Sequence, residues 1–175
     1  MNQVSNHTME HSKAIPITVG TQDIQSISIA GGTYRILVTG KQTEGAFATI
    51  DMLIPPKAGP GPHSHPDFHE TFYVLDGEVE VKSEAGSYIA KKGAYVVIPK
   101  GGIIHSFKNK TDEVARLLCT VIPSGLEEMF IAIGKPVASG TFIPPPPMDE
   151  EGMKKITALA AQYGQKLYPP DFLDK

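Results

Sequence analysis

Residues 70–90 read ETFYVLDGEVEVKSEAGSYIA and place two strand-like runs on either side of the pair Asp76-Gly77. Asp-Gly between alternating runs is a strong short-range turn signal. In the second run Val79 and Val81 alternate with charged residues, which gives one apolar face and one polar face. This stretch therefore predicts two consecutive β-strands, each with one side turned toward a hydrophobic core.

The same kind of pattern recurs in four further segments, residues 24–40, 46–56, 93–99 and 114–123. The first contains two alternating runs around Gly31-Gly32, which predicts a hairpin, and the second alternates apolar residues that include Met52. The last two are dense apolar runs, which predict strands covered on both faces. Many short strands with almost no helix between them predict an all-β, antiparallel sandwich or barrel over residues 14–123.

Helical patterns occur only in residues 124–175, which we interpret as a C-terminal helical extension with a proline-rich linker. Ser124 and Glu127 have the spacing of a capping box at the start of a first helix. Asp149 can cap a second helix, whose apolar stripe comprises Met153, Ile156, Ala160, Tyr163 and Leu167. We expect this second helix to pack on the barrel or on a second subunit.

Length and charge exclude several classes of protein. The chain has 175 residues with 41% hydrophobic content, enough for one domain with a sizeable core. Its net charge is −3 and its two arginines are Arg35 and Arg116, which argues against a nucleic-acid partner. No apolar run reaches the length of a membrane span, and no signal peptide is recognisable, so we expect a cytoplasmic protein without a membrane partner. Residues 1–13 lack periodicity and predict a flexible N-terminal tail.

Cys119 is the single cysteine of the chain, so no intramolecular disulfide can form. It lies in the apolar run LLCTV, whereas a reactive cysteine needs an electropositive, partly exposed setting. The sequence therefore predicts a buried and inert thiol.

Residues 63–70, HSHPDFHE, hold three of the six histidines and a glutamate. In an extended strand His63 and His65 point to one face. Glu70 opens the next strand on the same face as Phe72, and its carboxylate points inward if that face is the barrel interior. A buried carboxylate is costly unless it is paired, protonated or bound to a metal. His105 follows another apolar strand and can meet this group if the two strands are neighbours. Three imidazoles and one carboxylate suit a divalent first-row metal such as Fe, Mn, Ni, Cu or Zn.

The remaining histidines fit this site less well. His69 is adjacent to Glu70, so in a strand it points to the opposite face. We interpret His69 as a surface or outer-sphere residue and as the substitute ligand if His63 or His65 fails. His7 and His11 have helical spacing but lie in the predicted N-terminal tail, where a metal site is not expected.

Two motifs in this region resemble those of the cupin superfamily. The first motif, His-x-His, a short gap, Glu, six residues and Gly, corresponds to His63, His65, Glu70 and Gly77. The second motif, Gly, five residues, Pro, a short turn, His, three residues and Asn, corresponds to Gly93, Pro99, His105 and Asn109. There are two departures: Lys57 stands where a glycine is expected before His63, and the turn after Pro99 is one residue longer than usual.

The resemblance implies a cupin-type antiparallel β-barrel, also called a double-stranded β-helix or jelly roll, with short C-terminal helices. It implies one metal held by His63, His65, Glu70 and His105. It also implies a homodimer, often with N-terminal strands exchanged between subunits. The C-terminal stretch ALAAQYGQKLYPP further resembles single-domain cupins grouped with quercetin 2,3-dioxygenases.

The leading functional hypothesis is an O₂-dependent dioxygenase for an enol- or phenol-like small molecule, such as a flavonol or a diketone. Glu70 would bind the metal and accept the substrate proton, which requires a raised carboxylate pKa. Phe72, Phe107 and Met52 are candidates for the substrate pocket, although each can equally be plain barrel core.

Two alternatives stay open. The first is a metal-dependent isomerase, epimerase or lyase acting on a small keto or sugar compound. With two arginines in the chain, a phosphorylated substrate is disfavoured. The second alternative is a metal-binding cupin without catalytic activity.

Overall fold

The computed structural model describes residues 15–20, 23–145 and 149–174, so the predicted tail at residues 1–13, with His7 and His11, lies outside the described residues. Within that part of the chain the helices are α1 (Leu126–Ile133) and α2 (Glu150–Gln162), with a 3₁₀ turn at Gly40–Thr43. The strands are β1 (Ser26–Ile29), β2 (Gly32–Val38), β3 (Ala48–Ile54), β4 (His63–Ser64), β5 (His69–Asp76), β6 (Glu78–Ser83), β7 (Gly86–Lys91), β8 (Tyr95–Ile98), β9 (His105–Lys108), β10 (Ala115–Ile122), β11 (Lys135–Val137) and β12 (Lys166–Leu167).

These strands form two antiparallel sheets among the described residues. The order of the seven-stranded sheet is β11-β1-β2-β3-β10-β5-β8, and that of the five-stranded sheet is β12-β4-β9-β6-β7. The core lies between the sheets and is built from alternate residues of each strand, as in β3, where Ala48, Ile50, Met52 and Ile54 are all buried. The predicted all-β antiparallel architecture with short C-terminal helices is confirmed.

The Asp76-Gly77 turn connects β5 and β6, but these two strands do not form a hairpin. β5 pairs with β10 and β8, whereas β6 pairs with β7 and β9. The turn therefore carries the chain from one sheet to the other. Gly77 has a φ of +71°, and a Cβ there would lie 3.0 Å from the backbone of Ala115, so glycine suits the position on both counts. As predicted, Val79 and Val81 face the core.

The prediction that β8 and β10 are covered on both faces is wrong. Tyr95 and Val97 of β8 are 63% and 54% exposed, and Ile122 of β10 is 45% exposed. β8 is an edge strand of the seven-stranded sheet, and no element of the described chain is packed over its outer face. The many β-branched residues in these two segments therefore indicated strand propensity but did not indicate burial on both faces.

The capping box predicted for the first helix does not form. Gly125 is the N-cap of α1, and no side chain in the described part of the chain caps it. The Ser124 hydroxyl donates to the Gly45 carbonyl, and Glu127 is buried, where its carboxylate accepts from the backbone N–H groups of Gly125 and Gly40, each at 2.7 Å. Glu127 thus ties the helix to the 3₁₀ turn, a contact between residues that are far apart in sequence.

The second helix starts as predicted, with the Asp149 carboxylate accepting from the Gly152 N–H at 2.7 Å. Its apolar stripe is only weakly buried, because Ala160 is the buried residue of α2 and Met153 is 47% exposed. Leu167 does not continue the helix but belongs to β12, which pairs with β4. Together with β11, which pairs with β1, the C-terminal segment contributes a strand to each sheet.

Candidate metal centre

Four donor side chains from both sheets meet in the interior. His63 lies on β4 and is paired with His105 on β9, while His65 follows β4 directly. Glu70 projects from β5 of the opposite sheet. All four side chains are buried, and one donor atom from each lies within 4.8 Å of the others. The structure thus brings together the four residues that the sequence had singled out, which are separated by up to 42 positions.

The carboxylate of Glu70 is the centre of this cluster. Its Oε2 atom lies 3.1 Å from His65 Nε2 and 3.3 Å from His105 Nε2. The rings of His63 and His105 are 4.3 Å apart between centroids. These distances place nitrogen and oxygen donors around one small volume, as a single ion requires.

Backbone carbonyls orient all three imidazoles. The Nδ1 atoms of His63, His65 and His105 lie 2.9, 3.3 and 3.0 Å from the carbonyl oxygens of Gly61, Phe68 and Ile103. A carbonyl only accepts, so each Nδ1 carries the proton and donates it. This arrangement leaves each Nε2 directed toward the centre, and it is the usual way in which proteins fix metal-binding histidines.

The donor set fits a divalent transition metal. When each Nδ1 holds the ring proton, a neutral imidazole has a lone pair on Nε2, and two such lone pairs then face Glu70 Oε2. This geometry is repulsive unless positive charge lies between the atoms, either as extra imidazole protons or as one metal cation. Three nitrogens and a carboxylate suit iron, manganese, nickel, copper or zinc, and they do not suit calcium or magnesium.

Burial and neighbouring charges prepare these groups for a cation. Burial, followed by the charge of His105, lowers the pKa of His63 to about 4, so this imidazole is neutral at pH 7. Burial raises the pKa of Glu70, but hydrogen bonds from His105 and His65, donated when these imidazoles carry the extra proton on Nε2, lower it by more, and the net pKa lies well below its usual range. The raised pKa that a proton-accepting Glu70 requires is therefore not present in the metal-free protein.

Apolar side chains enclose the cluster. Phe68, which the sequence did not single out, stacks on the His65 ring at 4.2 Å between centroids. Phe72 and Phe107 pack edge to face at 5.1 Å and, with Met52, belong to the main hydrophobic core. These three residues line the interior as expected, and their contact with a substrate stays a prediction.

A groove of about 350 Å³, lined mostly by apolar residues, lies between β6–β7 and β8. Three of its lining residues are direct strand partners of interior residues: Ser83 of His105, Ile98 of Glu70 and Val81 of Phe107. Among the residues that the structure describes, no charged side chain lines this groove. No sequence pattern indicated this groove, because its walls come from strands of different sheets.

Cys119 is buried, as predicted, but it is not remote from the site. Its thiol Sγ donates to Glu70 Oε1 at 3.5 Å. Burial raises the pKa of the Cys119 thiol, and the neighbouring Glu70 charge adds to that effect. No sequence pattern indicated this contact, since the two residues lie 49 positions apart.

His69 and both arginines lie on the outer face. His69 is half-buried at the start of β5, on the face opposite to Glu70, and is not part of the cluster. Arg35 and Arg116 both pair with Asp51, whose side chain lies on the outer face of β3. The guanidinium groups therefore do not face the interior donors.

The two departures from the motif pattern have clear structural outcomes. Lys57, which replaces a glycine, adopts a left-handed backbone with a φ of 64°. The longer turn before His105 is anchored by a hydrogen bond from the Gly101 N–H to the Pro66 carbonyl at 3.0 Å, which holds it against the His65 segment. Asn109 is fully buried, and its amide donates to the carbonyls of Ile54 and Glu113. Asn109 therefore organises a loop and is not part of the donor cluster.

Comparison with known proteins gives one family and several relatives. Residues 50–121 match the family described as "Cupin domain". Quercetin 2,3-dioxygenase from Bacillus subtilis (strain 168) is 28% identical over 127 residues, which make up 72% of this chain and 36% of that protein. The chain thus spans little more than a third of this relative's length.

Solved structures share the fold at low sequence identity. A predicted oxalate decarboxylase from Thermotoga maritima is 23% identical with a TM-score of 0.54, covering 61% of this chain and 99% of its own. Ectoine synthase from P. lautus is 19% identical with a TM-score of 0.54, covering 75% of this chain and 99% of its own. At these identities the similarity establishes the architecture alone. No helix in the described part of the chain is long and apolar enough to cross a bilayer.

Proposed function

Because this chain carries a domain of the cupin superfamily at residues 50–121, we propose that it is a metal-dependent dioxygenase. It would add O₂ to a small enol- or phenol-like substrate, of the flavonol or diketone type. The observation that carries this proposal is the convergence of one carboxylate and three imidazoles in a buried apolar interior.

His63, His65, Glu70 and His105 would hold the ion. When bound, a divalent transition metal would supply a Lewis acid with coordination positions beyond these four ligands. The carbonyls that hold each Nδ1 proton keep the three Nε2 lone pairs aimed at the centre, so little reorganisation is needed for binding. The lowered pKa of Glu70 keeps it ionised. An ionised carboxylate with a lowered pKa binds a cation well and accepts a proton poorly. We therefore assign Glu70 primarily as a metal ligand and not as a general base.

The surroundings favour an apolar substrate with one ionisable oxygen. Phe72, Phe107 and Met52 belong to the hydrophobic core, and among the described residues no charged side chain lines the groove between β6–β7 and β8. Arg35 and Arg116 are held by Asp51 outside the barrel, so neither guanidinium faces the interior to bind a phosphate. The match to a protein named quercetin 2,3-dioxygenase agrees with this choice of substrate class.

The test combines metal content with oxygen consumption. Protein purified without added metal is analysed for metals, and O₂ uptake is followed with flavonol and β-diketone substrates. We expect near-stoichiometric metal in the parent protein and a large loss in His65→Ala and Glu70→Ala. His69→Ala, which alters the outer face of the same strand, is the matched control and should keep both metal and activity.

Each other outcome points to a named alternative. Product formation without O₂ consumption would select a metal-dependent isomerase, epimerase or lyase. Bound metal without turnover of any compound tested would select a non-catalytic metal-binding cupin. Full metal retention in both ligand variants would reject the proposed site. The expected homodimer and cytoplasmic location stay predictions.

A further inference from the structure

The two oxygens of the Glu70 carboxylate have different partners. Oε2 faces His65 and His105, at 3.1 and 3.3 Å from their Nε2 atoms. Oε1 points the other way and accepts from the Cys119 thiol at 3.5 Å. The carboxylate is thus divided between a side that faces the donor cluster and a side that faces β10.

The position of Cys119 follows from strand register. β10 lies next to β5, and Cys119 pairs with Phe72, two residues along the strand from Glu70. Both side chains therefore point into the same interior on adjacent strands, on a diagonal that brings them into contact. Cys119 is fully buried, and Val121, the direct strand partner of Glu70, offers no hydrogen-bond donor.

We propose that Cys119 is a positioning residue that holds Glu70 Oε1 and so presents Oε2 alone to the metal. This inference rests on the proposed function, because it concerns the same site. A carboxylate can bind an ion through one oxygen or through both. A donor on Oε1 favours one-oxygen binding, and this leaves one more coordination position for a substrate. A buried oxygen without a donor would instead turn toward the cation to satisfy its charge.

The thiol is a weak donor, but it is suited to this place. It is small and apolar enough to lie among Phe72 and the neighbouring core residues, and it still supplies one hydrogen-bond donor. Outer hydrogen-bond partners of metal ligands commonly change metal affinity about 10- to 100-fold when they are removed. Because a hydrogen bond donated by a thiol is weaker than most hydrogen bonds, we expect a change in metal affinity near the lower end of that range.

Cobalt(II) tests this role because its visible absorption reports the number and type of its ligands. The metal-free parent protein is loaded with cobalt(II), and affinity is measured by equilibrium dialysis together with the absorption spectrum. Cys119→Ala and Cys119→Val both remove the donor, and Cys119→Ser restores one. Val121→Ala is the matched control, since it removes core volume beside Glu70 without removing a donor.

We expect the donor-free variants to bind cobalt(II) about tenfold more weakly, with a spectrum shifted toward a higher coordination number. Cys119→Ser should recover much of the parent spectrum, and Val121→Ala should keep it. Parent-like affinity and spectrum in whichever donor-free variants fold would overturn the inference. A thiolate-to-cobalt charge-transfer band in the parent would also overturn it, because Cys119 would then be a ligand. Absence of cobalt binding by the parent would overturn the proposed function itself.

Discussion

At the scale of single residues, this protein prepares a cation site through its backbone as much as through its side chains. The carbonyls of Gly61, Phe68 and Ile103 each accept an imidazole proton, so three side chains from two segments present the same nitrogen inward. Gln or Asn at these positions could not donate to a carbonyl and also present a strong lone-pair ligand. The hydrogen bonds therefore explain why histidine is needed at His63, His65 and His105.

The pKa shifts predict an acid-sensitive metal-free protein. The folded pKa of His63, about 4, lies below its ordinary value of 6.5, so the unfolded chain takes up this proton first as the pH falls. This contribution to stability is complete above about pH 6.5 and is lost toward about pH 4. Glu70 adds a contribution of the same sign, because its lowered pKa gives stability that is lost as the pH falls below its ordinary value of 4.5.

We therefore expect the free energy of unfolding of the metal-free protein to fall by a few kcal/mol between about pH 7 and pH 4, at roughly 1.4 kcal/mol per pKa unit. Urea unfolding at several pH values measures it. His63→Gln should flatten the upper part of this dependence, whereas His69→Gln, on the outer face, should leave it intact. A profile for His63→Gln that is parallel to the parent's would contradict the assignment to His63.

Lys57 offers a second test at this scale. Its left-handed φ of 64° costs an L-residue about 1 kcal/mol or more, and glycine adopts that conformation freely. The Lys57 side chain also forms an exposed ion pair with Asp112 at 3.0 Å. Comparison of Lys57→Gly with Lys57→Ala removes this ion pair from both variants, so backbone strain and the unfolded-state entropy of glycine are the differences that remain.

We expect Lys57→Gly to be about 1 kcal/mol more stable than Lys57→Ala, measured by chemical unfolding under identical conditions. The added chain entropy of glycine in the unfolded state reduces the difference but does not reverse it. Equal stability of the two variants would show that the backbone there is not strained.

At the scale of elements, three strands of the larger sheet are joined on their outer face by one carboxylate. Asp51 of β3 is only 3% exposed, although it points away from the core. Arg35 on β2 donates to it at 2.5 Å, and Arg116 on β10 donates at 2.8 and 3.1 Å. Burial raises the pKa of Asp51, but the hydrogen bonds from Arg116 and Arg35 lower it by more, so the carboxyl group stays ionised.

Asp51→Asn should destabilise the protein by about 2–3 kcal/mol, because it removes a charged acceptor from two guanidinium groups. Asp112→Asn is the matched control: the Asp112 side chain is 92% exposed and pairs with the exposed Lys57, so its loss should cost less than about 1 kcal/mol. Thermal and urea unfolding measure both variants. Similar losses in the two variants would mean that the buried pairing contributes no more than a surface one.

Strand pairing also explains what local patterns could not reveal about the elements. β12 is only Lys166–Leu167, too short for any alternation to be read, and it is recognisable only through its pairing with β4. The same holds for Glu127, which fits a capping-box pattern in sequence but is drawn to the N–H of Gly40, 87 positions away. In both cases a distant partner outweighs the local preference.

At the scale of the whole molecule, the donor cluster couples the two sheets. Glu70 belongs to the seven-stranded sheet, whereas His63 and His105 belong to the five-stranded sheet. A cation bound between them links the sheets in the folded state only, since the unfolded chain does not hold the four groups together. Binding free energy at such a site appears directly as folding stability.

Addition of a divalent transition metal to the metal-free protein should therefore raise the free energy of unfolding by about 2.7 kcal/mol when the free metal is 100 times its dissociation constant. Thermal unfolding with and without a chelator measures the change. Glu70→Ala and His105→Ala should lose the metal-dependent part, and His69→Ala should keep it. A parent protein whose melting temperature is indifferent to metal would argue against a shared inter-sheet site.

The sequence by itself determined the alternation that gives each strand a buried face, the cap at Asp149 and the four residues of the donor cluster. These features are local: they depend on side-chain spacing along a strand or a helix turn, or on motifs read within a single stretch. His63, His65, Glu70 and His105 also carry chemistry that few other residue types supply, which made them recognisable before their geometry was known.

Only the tertiary structure decided which sheet each strand joins, which face of β8 and β10 stays exposed, and which groups touch the donors. Alternation indicates the polarity of a strand's two faces, but it does not identify the neighbouring strand or the register of the pairing. Strand pairing and register determine three features of the site: the Cys119–Glu70 contact, the stacking of Phe68 on His65 and the ionised state of Glu70. Hydrogen bonds and charges act over a few ångströms in space, and the fold alone sets which residues come that close.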